Sequence, residues 1–223
     1  MHRRSREDPG KLATMAGATT NDNTGRKKPG YDLDSLLHTA VKVFHERGYD
    51  GTSMEDLAKR LGITKSAIYH HVSSKQELLR LSVDRALDAL FAVLDEPGSR
   101  EGDATRRLHH VVHRSVEVLV DELPFVTLLL RIRGNSRVER QALARRREFD
   151  HLVGELVAEA ERTGGLRLDL DPALTSRLLF GMVNSVIEWY RPRQGLSKEE
   201  IAEAVTKIAF EGLEPRQESQ RRR

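Results

Sequence analysis

The stretch Thr52 to Val72, TSMEDLAKRLGITKSAIYHHV, constrains the fold of this chain more than any other. It predicts two short helices joined by a tight turn. Thr52 and Glu55 stand in the T-x-x-E relation of a capping box, which takes up the orphan N–H groups of a helix start. Leu57, Ala58 and Leu61 recur at helical spacing and give that helix one apolar face. Gly62 falls where a helix ending in a left-handed residue favours glycine. Thr64 is placed to cap the second helix. Ile68 and Val72 form that helix's inward side, and Lys65, Ser66, Tyr69 and His70 fall on the other side. Such a pair is a helix-turn-helix, whose second helix enters the major groove of DNA.

The flanking segments extend the pattern. LLHTAVKVFHERGYDGTS precedes it and SSKQELL follows, so that F-x-x-x-G-Y-x-x-T-S, D-L-A, G-I-T-K-S, Y-H-H and S-K-x-x-L occur in order. Over residues 34–80 the chain resembles the DNA-binding domain of the tetracycline-repressor (TetR) family, with Val72 where many members carry Phe. The resemblance implies an all-α fold of about nine helices: an N-terminal three-helix helix-turn-helix domain, then a C-terminal helical ligand-binding and dimerisation domain. It implies a transcriptional regulator, most simply a repressor, that binds a palindromic double-stranded operator as a homodimer and responds to a small molecule. Neither enzymatic activity nor a cofactor is expected.

The same resemblance places Tyr69 on a DNA phosphate. Lys65 and Ser66, near the start of the recognition helix, are best placed for base edges, and Ala67 for a thymine methyl. His70 and His71 are expected at phosphates. Thr52, Ser53 and Thr64 are candidate donors to the DNA backbone. Lys75, in the first turn of the next helix, suits a phosphate as well.

Composition narrows the setting. With 223 residues there is room for two modest domains. There is no cysteine, hence no disulfide and no thiolate metal site. MHRRSREDPG has charge but no apolar run behind it, so a signal peptide is not expected. The apolar run Phe125 to Leu130 is far too short to span a membrane. These features suit a cytoplasmic protein with no membrane partner. The net charge of +3 lies in the ends: residues 1–30 hold seven Lys/Arg against three Asp/Glu, and 214–223 hold four against two.

Four segments follow. Residues 1–30 read as a disordered basic arm, more simply a solvated tail than one in which Arg26-Lys27-Lys28 reaches DNA, residues 31–81 as the helix-turn-helix domain, residues 82–213 as the helical ligand and dimer domain, and residues 214–223 as a disordered tail. The first helix starts near Asp34 and ends before Gly48, burying Leu36, Leu37, Ala40, Val43 and Phe44. Ser74 with Glu77, Ser136 with Glu139, and Ser197 with Glu200 predict further capping boxes. Pro97-Gly98 ends the helix that begins at Ser74. Helices near 104–121, 124–133 and 136–163 follow. Asp171-Pro172 opens one that reaches about Tyr190, and a last helix covers 198–212.

In the C-terminal domain, apolar stripes on the last two helices suit a dimer interface through Leu178, Met182, Val186, Ile201, Val205 and Ile208. The string W-Y-R-P followed by L-S-x-E-E-I resembles a TetR branch that senses acyl-CoA thioesters, including regulators of phenylacetate and sterol-ring catabolism. An acyl-CoA needs apolar walls inside and guanidinium groups near the mouth. Phe125, Leu128 and Leu129, then Arg131 and Arg133, supply both along one short helix. Asn184, Trp189, Tyr190 and Arg191 complete the expected effector site, while a structural corner with Arg191 capping a helix end is the alternative. His109, His113 and Glu117 share a helix face at spacing compatible with zinc; spacing does not fix a further ligand such as Glu188, and no metal is expected. A helical-bundle enzyme with a His-bound metal, or a DNA-binding protein without a ligand, are the alternatives.

Overall fold

The computed structural model describes residues 32–167, 169–192 and 195–212. Among them lie ten helices and no strand: α1 Leu33–Arg47, α2 Met54–Leu61, α3 Lys65–Tyr69, α4 Lys75–Asp95, α5 Pro97–Arg100, α6 Ala104–Asp121, α7 Leu123–Arg131, α8 Arg137–Arg162, α9 Pro172–Trp189 and α10 Lys198–Glu211. The all-α expectation holds. The element not expected is α5, a single turn begun by Pro97. Proline lacks an N–H and has a fixed φ, so the residue that stops α4 suits the first position of a new turn. The expected basic arm and the tail at 214–223 lie outside the described residues.

Local capping sets the frame of the helix-turn-helix, with one change from expectation. The box at α2 is Ser53 with Asp56, not Thr52 with Glu55: Ser53 Oγ accepts the Asp56 N–H at 3.1 Å, and the Asp56 carboxylate accepts the Ser53 N–H at 2.9 Å. Thr52 is not free to cap because its hydroxyl donates to the Gly48 carbonyl at 2.7 Å. Gly62, at φ 66°, ψ 30°, closes α2 in the left-handed conformation. Thr64 Oγ accepts the Ala67 N–H at 3.1 Å and opens α3.

The other boxes vary. At α10, Ser197 and Glu200 form the full box. At α4, Ser74 Oγ accepts the Glu77 N–H, but the Glu77 carboxylate returns to the N–H and hydroxyl of Ser73. At α8, Ser136 Oγ accepts the Glu139 N–H, while the buried Glu139 carboxylate gathers the N–H groups of Arg133, Gly134 and Asn135 at 3.0, 2.8 and 3.1 Å. Burial alone would push this carboxyl up; the three backbone donors outweigh it and hold it below the usual carboxylate value.

Long-range packing builds the rest. The inner face of α1 buries Leu36, Leu37, Ala40, Val43 and Phe44, and meets Leu57 and Leu61 of α2, Ile68 of α3 and Leu78 and Leu79 of α4 in one apolar cluster. α4 runs unbroken past Ser82, near which the two domains were expected to meet. Its later residues Val83, Ala86 and Leu87 are equally buried. Phe91, Phe149 and Phe180 make an edge-to-face chain linking α4, α8 and α9, with centroids 5.6 and 5.4 Å apart.

Candidate DNA-binding and effector sites

The recognition helix α3 turns Ile68 and the following Val72 into the core and leaves Lys65, Ser66 and Tyr69 exposed, with His70 and His71 exposed just beyond. The Lys65 ammonium lies 6.0 Å from the centroid of the Tyr69 ring. Ala67 is half-buried, and Thr64 is exposed but caps the helix.

Three residues expected at the DNA backbone are engaged elsewhere. Thr52 is only 2% exposed, with its hydroxyl on Gly48. Ser53 is exposed, but its hydroxyl donates to Asp56 at 2.6 Å. Lys75 turns inward: its ammonium donates to the carbonyls of Tyr49 and Thr52, each at 2.8 Å, and stands 4.4 Å from the centre of the Tyr49 ring. The proximity of two carbonyls and an aromatic face accounts for this orientation.

An ionic latch joins the helix-turn-helix to the C-terminal helices. Arg85 of α4 makes a bidentate pair with Glu122, just before α7, at 2.6 and 3.0 Å, and also pairs with Asp34 of α1. The same guanidinium lies 4.3 Å from the Phe125 ring centroid, and His38 of α1 meets that ring edge-on. His45 of α1 bonds the Pro124 carbonyl at 2.9 Å. α7 is therefore tied to α1 on one side.

The other side of α7 walls an internal chamber. Val126, Leu129 and Leu130 line it with Ala86 and Leu90 of α4, Leu119 of α6, and Phe149 and Phe180. Its free space is about 40 Å³, little more than one water molecule's share of liquid volume. The buried Ser115 hydroxyl lines this chamber and has no hydrogen-bond partner among the described residues. Arg146, Asp150, Phe180 and Asn184 line both the chamber and a larger open groove between α8 and α9, of about 710 Å³. Arg147, His151 and Arg177 add cationic or titratable groups along that groove. Partial burial pushes the Asp150 carboxyl above its ordinary value, against the pull of Arg146 and Arg177.

The chamber gathers only some of the residues expected at the effector site. Leu129 and Asn184 do line the chamber, but Phe125 is packed against His38 and Arg85, and Leu128 faces a separate surface groove with Arg131 and Arg133 beside Tyr49. Arg131 also borders another groove, with Tyr190 and Arg191. Arg191 caps the C-terminal end of α9 through the carbonyls of Glu188 and Tyr190, the structural-corner alternative. Trp189 is 52% exposed and does not wall the chamber. The reason is rotational: Leu128 and Arg131 lie on the face of α7 turned from Leu129 and Leu130. The residues that sequence reasoning missed, Ser115, Arg146, Arg147, Asp150 and Arg177, carry no short motif. The one available signal was the run Arg145-Arg146-Arg147 beside the apolar positions Phe149, Val153 and Val157.

The expected dimer residues divide. Leu178 is 62% and Ile208 41% exposed, while Val186, Ile201 and Val205 are core residues of the single chain and Met182 is partly buried. Leu174 and Trp189 join Leu178 in an exposed apolar row along α9. On α6, His109 stacks on Phe210 of α10 at 3.6 Å, and burial pushes its imidazole below the ordinary value against the pull of Glu211 and Asp103. His113 approaches Glu117 at 3.5 Å, but Glu117 is also paired with Arg114. No group of three such side chains among the described residues is arranged to hold a metal.

These features define an all-helical chain with a helix-turn-helix head and a body that holds a small apolar chamber beside an open charged groove. Residues 36–81 match the family of bacterial regulatory proteins of the tetR type, and residues 101–213 match the tetracyclin repressor-like C-terminal domain. The chain belongs to the TetR family of transcriptional regulators. It is 57% identical to SCO3833, a TetR-family regulator from Streptomyces coelicolor A3, over 81% of this chain and 91% of that one, with a TM-score of 0.76. It is 26% identical over 204 residues to the HTH-type transcriptional repressor KstR2 of Rhodococcus jostii, covering 87% of this chain and 94% of KstR2. The fold also matches AibR in complex with isovaleryl coenzyme A and operator DNA, at 24% identity and a TM-score of 0.67, over 79% of this chain and 97% of AibR. No helix among the described residues is long and apolar enough to cross a membrane.

Proposed function

We propose that this chain is a repressor that binds a palindromic operator as a homodimer in the cytoplasm and releases it when an acyl-CoA thioester enters the C-terminal domain. The observation that carries the effector class is the small, mostly apolar chamber joined through Arg146, Asp150, Phe180 and Asn184 to a groove carrying Arg147 and Arg177. An acyl group suits the first compartment, and a phosphate-bearing head suits guanidinium groups in the second. The repressor reading is supported by the KstR2 likeness, and the thioester reading by the ligand named for AibR.

The small free space means that an acyl group must push the walls apart. α7 is one of those walls, and its opposite side holds α1 through Arg85, Glu122 and Asp34. A displaced α7 would re-aim the helix-turn-helix. Ligand and operator then weaken each other by the same factor. In the operator complex Lys65 and Ser66 meet base edges, and Tyr69 and His70 meet phosphates.

The test uses a duplex selected from a randomised pool by the wild-type protein and read by fluorescence anisotropy. Aryl, cyclic and short branched acyl-CoAs are added, each beside its free acid. At least one thioester should release the duplex and raise the melting temperature of the free protein, and its free acid should do neither. Release by a free acid with no response to any thioester would sink the acyl-CoA reading. Failure of the pool to yield any bound duplex would sink the repressor reading itself.

A further inference from the structure

We infer that Arg85 is the positioning residue through which an occupied chamber reaches the reading head: its hold on Asp34 is the bond that a displaced α7 breaks. Arg85 stands on α4 between two acids that approach from different elements. Its Nε and Nη2 donate to the Glu122 carboxylate at 2.6 and 3.0 Å, and its Nη1 donates to Asp34 of α1. The partners lie 37 positions after it and 51 before it in the chain. One guanidinium serves both carboxylates and can follow only one of them when they part. A hydrogen bond is lost beyond about 3.2 Å, so a shift of α7 by roughly 1 Å already forces the choice.

Geometry decides which partner is kept. Glu122 takes the guanidinium with both oxygens and its side chain is 21% exposed, whereas Asp34 takes a single donor and is 61% exposed. A bidentate, half-buried pair outlasts a single exposed one. The Phe125 ring of α7 adds to the Glu122 side, 4.3 Å from the guanidinium. Arg85 therefore goes with α7, and Asp34 is released. The freed carboxylate has a partner on its own helix, His38, whose Nδ1 is 3.3 Å away. Toward the other end of α1, His45 holds the Pro124 carbonyl at 2.9 Å. Release of Asp34 loosens the start of α1 while that second tie remains, and Leu36, Leu37 and Phe44 pass its motion to α2 and α3 through their common core. This route is separate from the continuous helix α4. It deepens the operator and effector reading above and presupposes it.

The test needs no effector. Val126→Phe enlarges a side chain of α7 inside the chamber, where overpacking forces backbone shifts, and so drives α7 outward as an acyl group would. Ser115→Leu, which fills the chamber from the α6 wall, is the second probe should Val126→Phe fail to fold. The probe is placed in wild type, in Asp34→Asn, which cuts the arm to the head, and in Arg85→Met, which cuts both arms and keeps an apolar side chain beside Phe125. Affinity for the selected duplex is compared within each background, well below every melting temperature. In wild type the probe should weaken binding about tenfold, and in the two cut backgrounds by less than about threefold. Amide hydrogen exchange of the DNA-free proteins gives a reading independent of any duplex. The probe should speed exchange at residues 36–41 in wild type and add nothing in either cut background. Equal weakening in every background would route the signal along α4 and overturn the inference. So would weakening in none, or exchange at 36–41 that ignores the probe. If wild type selects no duplex, the operator reading fails while the exchange data still decide whether Arg85 transmits. A thioester panel without an active compound would sink the acyl-CoA reading and leave these results standing.

Discussion

The two ends of α4 are built on opposite plans. In its first turn, Ser74, Lys75 and Glu77 are all hydrogen-bonded, and Ser73 before them receives the Glu77 carboxylate. Three turns later, Ala86 and Leu90 wall a chamber where the Ser115 hydroxyl has no partner among the described residues, and a charged groove opens beside it. The reading head is tied through its caps and turn, whereas the interior keeps an unmet polar group and walls that would have to part for the proposed ligand. Stiffness belongs where the two recognition helices of the proposed dimer would have to keep a fixed spacing. Slack belongs where binding must move something.

The largest effect should come from separating the protomers of the proposed dimer. Leu178→Glu with Ile208→Glu places charges on the exposed apolar faces of α9 and α10, leaving the core residues Val186, Ile201 and Val205 in place. Sedimentation should show monomers with unchanged helicity. Affinity for the selected duplex should fall on the order of a hundredfold or more, because one head cannot hold two half-sites. A variant that still sediments as a dimer would place the interface elsewhere.

Next in size is Phe149→Ala. Phe149 is fully buried between Phe91 and Phe180 and lines the chamber, so its loss should cost about 3–5 kcal/mol in urea unfolding. At temperatures where both proteins are folded, duplex binding without effector should be unchanged. A large loss of duplex affinity would show that chamber packing already sets the pose of the head.

Glu139→Gln probes the joint between α7 and α8. Its carboxylate accepts three backbone N–H groups, and a neutral amide oxygen accepts them less strongly, so the variant should lose roughly 1.5–3 kcal/mol near neutral pH. The native carboxyl is held below its unfolded value, so its contribution is present above the unfolded pKa, about 4.3. It is lost as pH falls through the native value. The two stability curves should therefore converge in acid. A gap that persists to the lowest pH at which both fold would assign the effect to packing.

The same contrast explains what the sequence could reveal. Gly62, Thr64, Ile68 and Val72 act within a few residues of one another, so spacing alone defines the turn, the cap and the buried side of the recognition helix. Even there a one-residue ambiguity passed unseen, because T-x-x-E and S-x-x-D overlap and only the Thr52 bond to Gly48 decides between them. The candidate effector chamber depends on how α4, α6, α7, α8 and α9 are rotated against one another. Periodicity marks Leu128 and Leu129 alike as apolar, but only packing sends Leu129 to the chamber and Leu128 to a surface groove. Trp189 enters the expected effector site through the W-Y-R-P string, yet such a string gives no direction, and the side chain lies on the outer row of α9.

The smallest effect, and the most telling in sign, belongs to Ser115→Ala. A buried hydroxyl without a partner costs about 1–3 kcal/mol of lost hydration, offset in part by the packing of its oxygen. Alanine should therefore leave the effector-free protein as stable as wild type, or more stable by up to about 1 kcal/mol. A thioester entering the chamber presents a carbonyl oxygen, and Ser115 is the hydroxyl donor on the α6 wall. The variant should then need several-fold more of the active thioester to release the duplex. Opposite signs for stability and response would mark a polar group kept for a ligand at some expense to the fold. Destabilisation by more than about 1 kcal/mol with an unchanged thioester response would show instead that the hydroxyl serves the fold alone.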